Sequence, residues 1–148
     1  MELHYELIGR GWARVSVEIE GRTIELIASY LSDALGDMAA GAIALLSGEQ
    51  EVRFSFQDEP GEYRWIFTSE GEEGLRLNIL SFQDCFAAPS DHGGTVILEG
   101  STARWEFASE VAEVLDRIVD SIGVVAYEAE WCGAFPSQNR EQLKRLLK

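Results

Sequence analysis

A loop near the middle of the chain holds the residues best suited to nucleophilic catalysis. Cys85 and His92 supply a thiol and an imidazole, and Asp84 and Asp91 precede them directly. A thiol becomes a nucleophile when a neighbouring base removes its proton, so this loop is the candidate for a Cys-His site. The context favours a structural role instead, because Cys85 is followed by apolar residues and His92 precedes two turn-forming glycines. An enzyme built on this loop is therefore the weaker alternative.

The sequence patterns that bind metals and cofactors are missing. The spacings HExxH, CxxC and DxDxDG, which bring ligands to one ion, do not occur. Glu70, Glu72 and Glu73 lie close together, but their SEGEEG context is typical of a solvated hairpin tip. Nothing marks out a carboxylate pair for glycoside hydrolysis, and no glycine-rich phosphate loop follows a strand. We expect no catalytic residues, no metal and no cofactor.

Acidic residues outnumber basic ones. The 148 residues include 26 Asp and Glu against 12 Lys and Arg, which gives a formal net charge of -14. A surface of this sign repels the phosphate backbone of nucleic acids. Most of the four tryptophans fall in strand-like patterns typical of a core rather than of a platform for stacked bases. We expect no nucleic-acid partner.

The surplus of acids is concentrated in two segments, residues 49–73 and residues 106–130, each with a net charge of -6. In the first, the acids fall at predicted hairpin turns without basic partners; in the second, they fall on the outer face of a predicted helix. Such a field speeds the approach of a cationic partner, although acidity can also serve solubility alone. The residues we expect to bind a basic partner are Asp58, Glu59, Glu62, Glu70, Glu72 and Glu73, with Tyr63 as an aromatic anchor.

The segment before these acids predicts a β-hairpin. Residues 12–28 alternate apolar and polar side chains, the period of a strand with one buried face. A two-residue turn at Gly21 and Arg22 places Ile19 opposite Ile24 and brings the apolar side chains to one side.

The period then changes to that of a helix. Apolar residues three and four positions apart predict an amphipathic helix over residues 29–47, capped by Ser29 or Ser32. Its glycines, Gly36 and Gly41, indicate a flat face against which another backbone packs. Strand periodicity returns at residue 50 and predicts a three-stranded meander with turns at DEPGE and SEGEEG.

The remainder predicts more strands and then helices. Alternation around Val96 and around Trp105 predicts two short strands, and Ser109 caps a second helix over residues 109–122 that Gly123 closes or bends. A short C-terminal helix follows. Strands and helices do not alternate as parallel crossovers would require.

These elements predict one α+β domain spanning residues 1–148. It contains an antiparallel meander sheet of about six strands, two main helices (about 29–47 and 109–122) and the short C-terminal helix. The sequence lacks a signal-peptide core and a run of 18 uncharged apolar residues, so we expect a cytoplasmic protein with no membrane partner.

The order of these elements, together with the EPGEYRW stretch from Glu59 to Trp65, resembles a group of small acidic bacterial proteins that is largely uncharacterised. Some members are immunity proteins of polymorphic-toxin or contact-dependent growth inhibition systems. The likeness covers residues 12–125. It implies a cytoplasmic protein that binds and blocks a toxin domain, often a nuclease, without chemistry of its own.

An acidic surface can occupy a nuclease active site in place of phosphate. We therefore expect a non-enzymatic immunity-type protein that neutralises a basic toxin domain by electrostatic and aromatic contacts. The alternative from another class is a housekeeping domain, either structural or binding a small ligand in an apolar pocket lined by Met38, Trp65 and Phe67.

Overall fold

A computed structural model of the chain describes residues 1–84 and 90–148. The protein is α+β, as predicted. In chain order its described elements are β1 (Glu2–Gly9), β2 (Trp12–Ile19), β3 (Arg22–Ser29), α1 (Ala34–Leu46), β4 (Glu51–Gln57), β5 (Glu62–Glu70), β6 (Gly74–Phe82), a single 3₁₀ turn (Asp91–Gly93), β7 (Thr95–Ala103), α2 (Arg104–Ser121), α3 (Val124–Trp131) and α4 (Ser137–Leu146).

The described strands form two antiparallel sheets. β1, β2 and β3 make a three-stranded sheet in that order, and β4, β5, β6 and β7 make a four-stranded sheet. The prediction of a single sheet of about six strands was wrong. Its two causes are that β1 adds a strand ahead of the predicted hairpin and that α1 carries the chain away from the first sheet before β4 begins.

The β2–β3 hairpin has the predicted buried face but a different turn. Ile19 pairs with Arg22, so the turn consists of Glu20 and Gly21 instead of Gly21 and Arg22. Both residues have positive φ, 51° and 79°, as the tightest hairpin turns that match strand twist require. The pairing differs from the prediction by two residues, which leaves Val17 and the other apolar side chains on the same face.

The meander predicted from residue 50 onward is confirmed by the pairing of β4 with β5 and of β5 with β6. The centre of this sheet carries apolar side chains on both faces, because Ile66, Leu80 and Phe82 form a small cluster apart from the main core. The Arg64 guanidinium lies 4.3 Å from the centroid of the Phe82 ring and covers part of that cluster.

Helix α1 is shorter than the predicted 29–47. Asp33 is its N-cap, and its carboxylate accepts a hydrogen bond from the Gly36 amide over 3.2 Å. Ser29 and Ser32, the predicted caps, lie ahead of that turn, where Ser32 instead accepts a hydrogen bond from the Gln57 amide.

The two glycines of α1 have different roles. Gly41 makes a close contact, but with side chains instead of the predicted backbone, since a Cβ there would lie 3.1 Å from the Phe54 ring. At Gly36, by contrast, a Cβ would overlap the Asp33 carboxylate, so glycine at this position makes room for the helix cap.

Helix α2 begins at Arg104, within the region predicted as a strand. Ser109 therefore lies inside the helix and is not its N-cap. Trp105 and Phe107 alternate like strand residues, but Phe107 is buried on the helix stripe that continues through Leu115, while Trp105 is 60% exposed. Two alternating residues are too few to separate the periods of a strand and a helix.

Gly123 ends α2, as predicted. Its φ of 84° turns the chain into α3, a helix that the sequence analysis did not predict. The predicted C-terminal helix is α4, which starts at Ser137 directly after Pro136.

The two sheets and the helices share one apolar core. Met38, Trp65 and Phe67 lie within it with no exposed surface, so they do not line the ligand pocket that the alternative hypothesis requires. None of the described helices combines the length and the apolar character needed to cross a membrane.

Candidate functional site

The acids predicted to bind a partner lie at opposite ends of β5. Asp58 and Glu59 belong to the turn before this strand, and Glu72 and Glu73 belong to the turn after it. A strand of nine residues spans about 26 Å at about 3.3 Å per residue, so the two turns are separate surfaces.

At the turn before β5, Glu62 is not available to a partner. Its side chain is buried, and its Oε2 accepts hydrogen bonds from Ser55 Oγ at 2.6 Å and Arg64 Nε at 3.0 Å. The expectation that Glu62 lies unpaired in a turn was wrong. Glu62 is the first residue of β5, and its carboxylate forms an ion pair with Arg64 of the same strand.

Asp58 and Tyr63 interact with each other at the same turn. Burial raises the pKa of the Asp58 carboxyl, while a hydrogen bond from the Tyr63 side chain acts in the opposite direction. Burial and the adjacent Asp58 charge raise the pKa of the Tyr63 hydroxyl. Both side chains are partly buried, which leaves Glu59 as the exposed carboxylate of this turn.

At the other end of β5, the acids surround a concave site that we name the acidic cleft. Its volume is about 670 Å³. Glu72 and Glu73 are exposed on its wall, and Glu49 and Glu70 are exposed close by in the chain. The residues lining the acidic cleft are Leu46, Ser47, Gly48, Gln50, Ser69, Gly71, Glu72, Glu73 and Arg104.

Arg104 is the only cation among the described residues that line the acidic cleft, and its guanidinium is already engaged. It donates to the backbone oxygens of Leu45 at 2.6 Å, Glu49 at 2.8 Å and Glu72 at 3.0 Å, and also to the Ser69 hydroxyl. Because Arg104 is buried and bonded to neutral groups, it holds the end of α1 and the β5–β6 turn together without forming an ion pair with the exposed carboxylates. This role of Arg104 was not predicted from the sequence, because the alternation around Trp105 is typical of a strand.

The second acidic segment, on α2, does not form the free acidic surface that we expected. Most of its carboxylates have partners within the fold. Glu106 bonds the Met1 amino group at 2.7 Å, Glu110 accepts from the Leu3 amide at 2.9 Å, Glu113 pairs with Arg117 at 2.9 Å, and Asp116 pairs with Arg140 at 2.8 Å and with Lys144 at 3.3 Å. These acids hold β1 and α4 against α2, so the acidic cleft is the larger concentration of unpaired carboxylates.

The loop with the candidate nucleophile gives little support to catalysis. Cys85 lies outside the described residues, and His92 is exposed in the 3₁₀ turn. The Asp91 carboxylate is not available to orient the His92 imidazole, because Arg53 and Arg64 both bind it. Hydrogen bonds from these two guanidinium groups lower the pKa of Asp91 to about 2. Within residues 1–84 and 90–148, no group of three His, Cys, Asp or Glu side chains is arranged to hold a metal ion.

Comparison with known proteins gives one structural likeness. No protein-family model matches the sequence, and no curated protein matches it. Among solved structures, a chain of the "CdiA-CT/CdiI toxin and immunity complex from Enterobacter cloacae" is similar, with a TM-score of 0.49 and 13% sequence identity over 77% of this chain and 97% of that chain. A likeness at this level does not extend to function.

Proposed function

We propose that this chain is a non-enzymatic immunity-type protein, which binds a basic toxin domain through its acidic cleft and thereby neutralises the toxin. The observation that supports the proposal is the arrangement of Glu72 and Glu73 around a concavity whose described cation, Arg104, is buried and bonded to backbone oxygens. The carboxylates therefore lack countercharges from the fold, and a partner's lysine or arginine side chains can supply them.

The shape and chemistry of the cleft suit such a partner. Ser47, Gln50 and Ser69 add neutral hydrogen-bonding groups beside the carboxylates. The surrounding negative field raises the rate of encounter with a basic surface, and the concavity removes water from the ion pairs once they form. A nuclease active site that attracts phosphate presents the complementary charge.

The turn before β5 is a second, smaller contact region in this proposal. Glu59 offers an exposed carboxylate, and the Tyr63 ring with its bonded Asp58 offers an aromatic anchor. Because this turn lies at the far end of β5, it contributes only for a partner that extends along the whole strand.

The experiment that tests the proposal uses the protein encoded by the gene immediately upstream of this one. We expect its C-terminal domain to be toxic when expressed alone, harmless when co-expressed with this protein, and bound to it in a stable complex after purification. A harmless neighbour, or a toxic domain that forms no complex, would contradict the proposal. A mixture with lysozyme, which is basic but unrelated, serves as the control for purely ionic binding.

A further inference from the structure

One edge of the four-stranded sheet has unpaired backbone groups. β4 is an edge strand, and β5 is its only neighbour among the described strands. The Ser69 amide donates to the Gln50 carbonyl across this pair, which fixes the alternation of backbone directions along β4. It follows that Val52 and Phe54 direct their backbone groups toward β5, whereas those of Arg53 and Ser55 point outward.

Along β4, some outward-pointing backbone groups have a hydrogen-bond partner among the described residues and others do not. The Gln57 amide points outward and donates to Ser32 Oγ at 3.1 Å, which confirms the alternation and closes that end. Within the described part of the chain, the backbone N–H and C=O groups of Glu51, Arg53 and Ser55 form no such bond on that side. An edge of this kind is a template for another strand.

A groove runs beside this edge. It has a volume of about 370 Å³ and lies between β4 and helix α1. Small residues of α1 leave the space open, and the core-facing side chains of β4 give it an apolar floor. The lining residues are Asp37, Ala40, Gly41, Ala44, Val52, Arg53 and Phe54.

We propose that this groove binds an extended, basic segment of a partner protein, which joins the sheet as a fifth strand along β4. Alternate side chains of the added strand face α1, where Ala40, Gly41 and Ala44 admit small apolar residues. The inference goes beyond the proposed function, because it uses backbone groups and α1 residues that do not line the acidic cleft.

The charges around the groove favour a basic occupant. Asp37 lines it, is partly buried and has no ion pair within the described residues. Burial and the nearby Asp33 charge raise the pKa of Asp37, and the positive charge of a lysine or arginine of the occupant would counteract this by stabilising the ionised carboxylate. The cation among the described residues that line the groove, Arg53, is paired with Asp91 and Glu51. A second copy of this chain is disfavoured as the occupant, because two molecules with a net charge of -14 repel each other.

Two other sheet edges, β1 and β7, already use some of their backbone groups within the fold. On β1, the Leu3 amide donates to Glu110 and the Leu3 carbonyl accepts from Arg117. On β7, the Ser101 amide donates to Glu20, and the register shifts opposite Ile79 and Leu80. β4 combines an open edge with an adjoining groove.

The test uses a seven-residue peptide with blocked ends. Its positions facing α1 are valine or alanine except for one lysine opposite Asp37, and its other positions are lysine. On adding it to ¹⁵N-labelled protein, we expect the Arg53 and Ser55 amide resonances to shift and their hydrogen exchange to slow. A peptide of the same charge with proline at the alternate positions should not bind, because proline cannot donate to the edge.

Two variants locate the peptide. Ala44→Gln fills the groove and should weaken binding by about tenfold or more. Ser121→Gln, an equivalent change at an exposed position of α2, should leave it unchanged. Equal binding of both peptides, or shifts confined to Glu72 and Glu73, would overturn the proposal in favour of simple charge attraction. Protection of the same amides in a peptide-free dimer, detected by sedimentation, would overturn it in favour of a second copy.

Discussion

The Arg104 guanidinium and the Leu45 carbonyl oxygen are joined by a buried hydrogen bond of 2.6 Å. This bond connects the first residue of α2 to the last turn of α1, where carbonyl oxygens have no partners within the helix. The same guanidinium bonds Glu49 and Glu72 oxygens, so one side chain fixes the position of three chain segments beside the acidic cleft.

We expect Arg104→Met to lower the free energy of unfolding by about 2–4 kcal/mol, because it removes the hydrogen bonds that a buried guanidinium donates to the Leu45, Glu49 and Glu72 oxygens. Urea denaturation followed by tryptophan fluorescence measures the change. Arg76→Met is the control: among the residues that the structure describes, Arg76 forms only a surface ion pair with Glu99 at 3.5 Å, and its loss should cost about 0–1 kcal/mol. Equal costs for the two variants would contradict the role of Arg104.

Acid should weaken the attachment of the 3₁₀ turn to the four-stranded sheet. The pKa of Asp91, about 2, lies below its ordinary value of 3.8 because Arg53 and Arg64 bind the carboxylate. Its contribution to stability is thus present above pH 4 and disappears as the pH falls toward 2. We expect Asp91→Asn to be less stable than the wild type near pH 6 and to approach it near pH 2.

Urea midpoints measured at intervals across that range test this expectation. Asp120→Asn provides the comparison, since Asp120 is exposed on α2 and has no ion pair within the described residues. A constant difference between Asp91→Asn and the wild type at every pH would show that Asp91 contributes no charge-dependent stability.

Charge reversal should identify the end of β5 that meets a basic partner. We expect Glu72→Lys to slow association with the proposed toxin partner by about tenfold at low salt, and added salt should reduce the difference. Glu59→Lys and Asp120→Lys change the net charge equally at other places and should slow association less. Stopped-flow rates measure this, and a larger effect at Glu59 would move the interface to the opposite turn.

The bend between α2 and α3 should depend on glycine. Gly123 has φ 84° and ψ 164°, a conformation that is essentially restricted to glycine, although a Cβ would meet no atom within 4 Å. We expect Gly123→Ala to cost about 1–3 kcal/mol through backbone strain alone. Gly9→Ala also adds a Cβ in open space but without positive φ, and should change stability by less than about 0.5 kcal/mol. Thermal unfolding compares the two variants.

Periodicity predicted which faces of β2 and β3 are buried but not the register in which these two strands pair. At the β2–β3 hairpin, turns at Glu20–Gly21 and at Gly21–Arg22 put the same side chains into the core, because the two pairings differ by two residues. The pattern of apolar residues therefore cannot separate them. Glu20 favours neither turn, so Gly21 was the only residue whose type indicated where the turn lies.

At the candidate site, the sequence predicted where the acids are concentrated but not which of them have partners. The sequence located the surplus of acids correctly, yet Glu62 is buried against Arg64, and the α2 carboxylate Glu110 binds the backbone of Leu3, more than one hundred residues away in the chain. Pairing across such separations depends on tertiary structure. The acids correctly expected to be exposed from local sequence lie near the two ends of β5: Glu59 in the turn before it, Glu70 at its last position, and Glu72 and Glu73 in the turn after it.

The placement of the two acidic turns at opposite ends of β5 also bears on stoichiometry. A small rigid toxin docked at Glu72 leaves Glu59 in contact with water, and a second molecule could then occupy the vacant turn. A bivalent ligand would instead need a linker that matches the length of the strand, about 26 Å. Calorimetric titration would distinguish the arrangements by the molar ratio at which heat release ends.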